Sequence, residues 1–108
     1  MFRIAAAFAL LAFLSVPALA QSQEITVSVK DNKFDPAEIE VPANTPLVLR
    51  VKNLDPKPME IESRDLKFEK IVPGGGQVTV NIRAQKPGRY EFFDDFHEAT
   101  TRGTLVVK

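Results

Sequence analysis

From residue 24 onwards, apolar and polar side chains alternate in short bursts. Ile25, Val27 and Val29 alternate with Thr26 and Ser28, the period-two pattern of a strand with one buried face. Leu47, Leu49 and Val51 alternate with Val48, Arg50 and Lys52, and Val78, Val80 and Ile82 alternate with Thr79, Asn81 and Arg83. Tyr90 and Phe92 share one face of a further strand, and Leu105 and Val107 one face of the last. Phe34, Ile39 and Val41 mark a strand that Pro36 interrupts; proline cannot donate to a ladder, so this strand belongs at an edge. Asp31-Asn32-Lys33, Pro73-Gly74-Gly75-Gly76 and Pro87-Gly88 read as turns, since glycine accepts positive φ cheaply. Sustained helical periodicity is missing after residue 20. Ser63 to Lys70 is long enough for a helical turn, but Leu66 and Phe68 suggest an irregular or extended segment. About seven to eight short strands between Pro/Gly turns predict an all-β sandwich or barrel, of the kind often built as a Greek key, with one core. Its buried residues should include Val27, Leu47, Leu49, Val51, Val80, Ile82, Tyr90, Phe92, Leu105 and Val107.

The first twenty residues follow other rules. Arg3 gives a short basic start, Ile4 to Val16 is an apolar run too short to span a bilayer comfortably, and Ala18-Leu19-Ala20 is a small-x-small cleavage site. Residues 1–20 therefore read as a secretory signal peptide, with a mature domain over 21–108 and no membrane span in the mature chain. That leader predicts a periplasmic, secreted location. Without Arg3, thirteen basic residues face fourteen acidic ones, a balance that argues against nucleic acid or an anionic membrane surface as partner. The chain has no cysteine, so its stability must come from the apolar core and not from disulfides.

Three segments then carry a family resemblance. "FDPAEIEVPANTPLVLRVKN" (Phe34 to Asn53), "NLDPKPMEIE" (Asn53 to Glu62) and "PGRYEFF" followed by "DDFHEATTRGTLVV" resemble, in order and spacing, the corresponding parts of the cupredoxin family. The resemblance implies a cupredoxin-like sandwich whose metal site lies at one end. The usual blue-copper site uses two histidines, a cysteine and a weak axial methionine. By the resemblance, Met59, directly after Pro58, stands in the first histidine's place, and Asp94, four residues after Tyr90, stands in the cysteine's. His97 stands in the second histidine's place, and Thr101, two before Gly103, in the axial methionine's. With no thiolate, no type 1 blue-copper centre is expected and ordinary electron transfer is disfavoured. "MEIESRDLKFEKIVPGG" and "FFDDFHEATTRGTLVV" resemble more closely a cysteine-lacking subgroup that includes the cupredoxin domain of EfeO-type iron-uptake proteins. That likeness implies periplasmic handling of iron, copper or both.

The candidate ligands divide into two sets. His97 is the sole histidine, and a neutral imidazole suits copper, iron, nickel and zinc alike. A carboxylate at Asp94 in place of a thiolate shifts preference from soft Cu(I) towards Fe(II), Fe(III) or Cu(II), whereas Asp95 reads as part of a solvated acidic turn. Alternation puts Met59 with Ile61 on one face and Glu60 with Glu62 on the other. Two models follow: an inner site of His97, Asp94 and Met59 able to hold copper, and an exposed acidic site of Glu60 and Glu62, with Glu98 as a further candidate, suited to iron. Met59 as a core gap-filler and the glutamates as plain solvated residues are the competing readings.

Catalytic arrays find little support. There is no histidine pair, no cysteine nucleophile and no legible serine–base arrangement, and the glycine run lacks the Lys-Ser/Thr pair and helix of a phosphate loop. Fe(II) oxidation assisted by a bound metal needs only a redox ion and an open position, and stays open. The resemblance thus implies a copper- or iron-binding accessory protein of a ferrous-iron uptake system, with periplasmic or inner-membrane transport components as expected partners. The alternative is a metal-free cupredoxin-fold module that docks on a permease or partner protein.

Overall fold

The computed structural model describes residues 22–108; the leader read over residues 1–20 lies outside them. Nine strands form two packed sheets. The four-stranded sheet runs in the order β2 (Lys33–Asp35), β1 (Gln23–Lys30), β4 (Leu47–Asn53) and β7 (Gln77–Ile82). The five-stranded sheet runs β3 (Glu38–Val41), β9 (Arg102–Val107), β8 (Gly88–Asp94), β5 (Met59–Ser63) and β6 (Phe68–Val72). Two pairings are parallel, β1 with β4 and β3 with β9; the others are antiparallel. The only helical element among the described residues is a 3-10 turn, Asp95–His97.

Alternation becomes packing in the expected way. Val27 and Val29 of β1, Leu47, Leu49 and Val51 of β4, and Val80 and Ile82 of β7 face Ile39, Val41, Ile61, Phe92, Leu105 and Val107 of the opposite sheet in one buried cluster. Phe34 meets Phe92 edge to face, with ring centroids 4.9 Å apart, a geometry that aligns ring edge with ring face. Gly103 belongs to this contact, because a Cβ there would overlap the Phe92 ring. No helix of the described residues is long and apolar enough to cross a membrane.

Three details differ from the sequence reading. Nine strands stand where seven or eight were expected. One extra strand arises because Pro36 divides its segment between β2 and β3, which are edges of opposite sheets. The other is β6, which shows no alternation because it is a sheet edge with Glu69, Lys70 and Ile71 all exposed. Tyr90, expected inside, is half-buried; its hydroxyl donates to the Lys86 carbonyl at 2.7 Å, so the ring lies along the rim with its polar end outward.

Candidate metal centre

Strand direction brings one set of connections to the same end of the sandwich: the β1–β2 turn, the β4–β5 loop, the β6–β7 turn and the β8–β9 loop. Side chains lock them together. Asn53 is 1% exposed, and its Nδ2 donates to the Lys57 carbonyl at 2.7 Å and to the Val72 and Pro73 carbonyls at 3.2 and 3.3 Å. Its Oδ1 accepts from the Asp55 N–H at 3.1 Å. Asp55 in turn accepts from the backbone N–H groups of Asp31 and Asn32, two residues held at φ 50 and 58. The Thr101 hydroxyl donates to the Asn32 carbonyl at 2.7 Å. The glycine run packs into the same network: a Cβ at Gly74 would overlap the Pro56 carbonyl oxygen, and the Gly75 N–H donates to the Asp55 carbonyl. Gly74 thus serves close approach between two loops, and Gly75 supplies a positive φ of 70.

These loops surround a cleft of 190 Å³ that is lined by, among others, Asn53, Pro58, Met59, Asp94 and His97. The structure therefore brings His97, Asp94 and Met59 around one space, as the inner model requires. Their availability differs. Met59 belongs to the core cluster. Asp94 is 2% exposed; its Oδ1 accepts from the Glu60 and Phe96 N–H groups at 3.1 and 3.0 Å, and its Oδ2 pairs with His97 Nδ1 at 2.9 Å. It is the N-cap of the 3-10 turn, where a carboxylate satisfies an otherwise unpaired donor. His97 follows on that turn with its side chain 38% exposed.

Glu60 and Glu62 alternate with Met59 and Ile61 along β5 and lie half-buried on the outer side of the sheet. Beside them stands Asp95. One carboxylate oxygen from each of Glu60, Glu62 and Asp95 lies within 4.8 Å of the others, and none of the three forms an ion pair with a described residue. Desolvation is the main cause raising both glutamate pKa values above the ordinary 4.5, followed by the charge of Glu69 at Glu60 and of Asp95 at Glu62. Like charges held together without a cation make each harder to ionise.

Glu98 does not join this group. It pairs with Arg64 at 2.9 Å and Arg102 at 3.8 Å, and the hydrogen bond from Arg64 holds its carboxyl below the ordinary value. The two guanidinium groups lie over the Phe93 ring, 4.7 and 5.3 Å from its centroid, a favourable cation–π geometry. Asp95 takes the place for which Glu98 was a candidate. Its signal was in the alternation: with Asp94 directed inward beside Met59, the next residue falls on the glutamate side.

The donor set does not fit a type 1 copper centre. Its four places hold a thioether, a carboxylate, an imidazole and a hydroxyl, and the carboxylate and hydroxyl are engaged with protein groups. An imidazole on one side of the β8–β9 loop and three carboxylates on the other suit borderline and hard ions instead, such as Cu(II), Fe(II) and Fe(III).

The family model for the cupredoxin-like domain matches residues 3–107, and the chain belongs to that family. It is 40% identical over 84 residues to an uncharacterised protein of Rickettsia prowazekii (strain Madrid E), covering 78% of this chain and 67% of that one. Among solved structures it is similar to auracyanin A, a "blue" copper protein of Chloroflexus aurantiacus, with a TM-score of 0.70 at 17% identity over 82% of this chain and 100% of that one. It is also similar to the metal-binding domain of the Cu(I)-exporting P-type ATPase CopA of Streptococcus pneumoniae D39, with a TM-score of 0.69 at 18% identity over 79% and 84% of the two chains. At these identities the likeness is one of fold.

Proposed function

We propose that the chain is an exported metal-binding accessory protein of a ferrous-iron uptake system, acting in the periplasm and holding iron or copper at two separate donor groups, His97 at the cleft and the carboxylates Glu60, Glu62 and Asp95 on the outer side of the sheet. The observation that carries this reading is the trio of carboxylates held together without an ion pair among the described residues, next to a loop that holds an exposed imidazole. Five other surface glutamates, Glu24, Glu38, Glu40, Glu91 and Glu98, each sit within 4.0 Å of an Arg or Lys nitrogen; what sets the trio apart is that its three carboxylate oxygens lie within 4.8 Å of one another. A cation bridging the trio would offset the like-charge repulsion that adds to desolvation in raising the glutamate pKa values. The resemblance to EfeO-type proteins and the secretory-type leader support the uptake and periplasmic parts. The copper named for auracyanin A and for the CopA domain supports metal binding as a function that this fold carries.

A second reading has its own support. Both Asp94 oxygens are satisfied by protein groups, so the place of the lost thiolate already works as a structural cap, as it would in a metal-free module docking on a permease or partner protein. The metal content of the protein isolated from the export compartment separates the two. Near-stoichiometric iron or copper, and a ferrous permease encoded beside the gene, are expected; a metal-free protein recovered bound to a partner would replace the metal reading by the docking one.

A further inference from the structure

We propose that Asp94 is a positioning residue for His97, fixing the ring so that Nε2 is its metal donor; the proposal rests on the metal-binding reading above. Asp94 stands where the family's thiolate would bind the ion, and the direct carryover is a carboxylate ligand in that place. The geometry assigns it another task. An ionised carboxylate only accepts hydrogen bonds, with about four lone-pair sites on its two oxygens. Oδ1 receives the N–H groups of Glu60 and Phe96, and Oδ2 faces His97 Nδ1 at 2.9 Å. One of these bonds reaches across to β5 and the others hold the 3-10 turn, so the carboxylate ties the histidine loop to the neighbouring strand. An ion placed on Asp94 would displace these donors from a side chain that is 2% exposed.

The proton bookkeeping then fixes the tautomer. Since Asp94 cannot donate, the neutral ring carries its hydrogen on Nδ1 and its lone pair on Nε2. Among the described residues Nε2 has no hydrogen-bond partner. A carboxylate that accepts from one ring nitrogen while the other binds a metal orients the ring and strengthens it as a donor. In this chain the inherited ligand position has become that orienting group. The ion and Asp94 therefore lie on opposite sides of the imidazole, and the two residues do not chelate one ion between them.

The test is long-range proton–nitrogen NMR of 15N-histidine-labelled protein at a pH where His97 is neutral, before and after adding Zn(II). Wild type should show the Nδ1–H tautomer, and Zn(II) should shift Nε2. In Asp94→Asn the amide oxygen can still accept from Glu60 and Phe96 while its NH2 faces Nδ1, so the tautomer should switch to Nε2–H. Zn(II) and Cu(II) binding should weaken by about 10–100-fold, as for loss of an orienting carboxylate. A wild-type Nε2–H tautomer, a Zn(II) shift on Nδ1, or unchanged affinity in a folded Asp94→Asn protein would overturn the proposal. If that variant does not fold, the wild-type tautomer and the nitrogen that Zn(II) shifts decide it alone. A wild type with the Nδ1–H tautomer that binds no ion at His97 would remove the metal reading, and the donor role with it, while the hydrogen-bond assignment stands.

Discussion

Asn53→Asp is a nearly isosteric change whose outcome depends wholly on the network at the mouth of the sandwich. The asparagine's two N–H hydrogens face the carbonyls of Lys57, Val72 and Pro73, and its Oδ1 holds the Asp55 N–H. Aspartate keeps the last bond and loses the others. A carboxylate oxygen would then sit 2.7 Å from one carbonyl oxygen and 3.2–3.3 Å from two more, at a position 1% exposed. Leaving the buried Val72 carbonyl without its donor costs about 1–3 kcal/mol, the part-exposed Lys57 and Pro73 carbonyls less, and an uncompensated buried charge costs roughly 3–5 kcal/mol. The variant should therefore lose at least about 3 kcal/mol, a large part of the 5–15 kcal/mol typical of a domain. Asn53→Ala, which removes the bonds without adding a charge, should lose less, about 2–3 kcal/mol. Urea unfolding followed by far-ultraviolet circular dichroism at pH 7 compares the three proteins. If Asn53→Asp unfolds within about 0.5 kcal/mol of wild type, near the spread of ordinary surface substitutions, the mouth is not held in the way described.

Gly103→Ala should destabilise by about 1–3 kcal/mol, the usual penalty of overpacking, because the new methyl meets Phe92 where it packs on Phe34; an unchanged thermal midpoint would refute this. Glu60 and Glu62 have raised pKa values in the fold, so each contributes stability that is fully present below 4.5 and lost as pH rises through its folded value. Glu62→Gln should thus match wild type in strong acid and exceed it at pH 7 in the absence of metal, as judged by thermal unfolding across pH; the opposite trend would contradict the upward shift that desolvation and the Asp95 charge impose on Glu62. Glu98, lowered by Arg64, has the reverse sign: its contribution is present above 4.5 and lost as pH falls through its lower folded value. Binding of Fe(II) at the acidic trio should weaken on acidification from a pH above 4.5, which an anaerobic titration series would detect.

The sheets were legible because β1, β4 and β7 each bury one face and keep strict alternation, so side-chain polarity alone assigns inside and outside. The same logic could not see β6: an edge strand of a hairpin exposes Glu69, Lys70 and Ile71 in succession, and its evidence is pairing with β5. Tyr90 was misplaced because a phenol satisfies alternation equally well from the rim. At the site, the two sides of β5 followed from alternation. The role of Asp94 did not, since its partners Glu60 and Phe96 are backbone donors that only the β5–β8 register and the turn bring together. Asp95 was passed over because it lies just beyond the end of a strand, where a periodic reading stops although its geometric consequence persists for one more residue. Glu98 was drawn towards the acidic site by proximity in sequence, whereas Arg64, 34 residues away, holds it.

Whether His97 is a metal donor is decided by calorimetric titration of Cu(II) into the wild type and His97→Ala at neutral pH. The wild type should bind with an affinity at least about ten-fold above that of the variant, since losing a ligand should cost no less than losing its orienting partner. Equal affinity and stoichiometry in the two proteins would show that His97 is no donor, and would leave the β8–β9 loop as an inherited shape held by its aspartate cap.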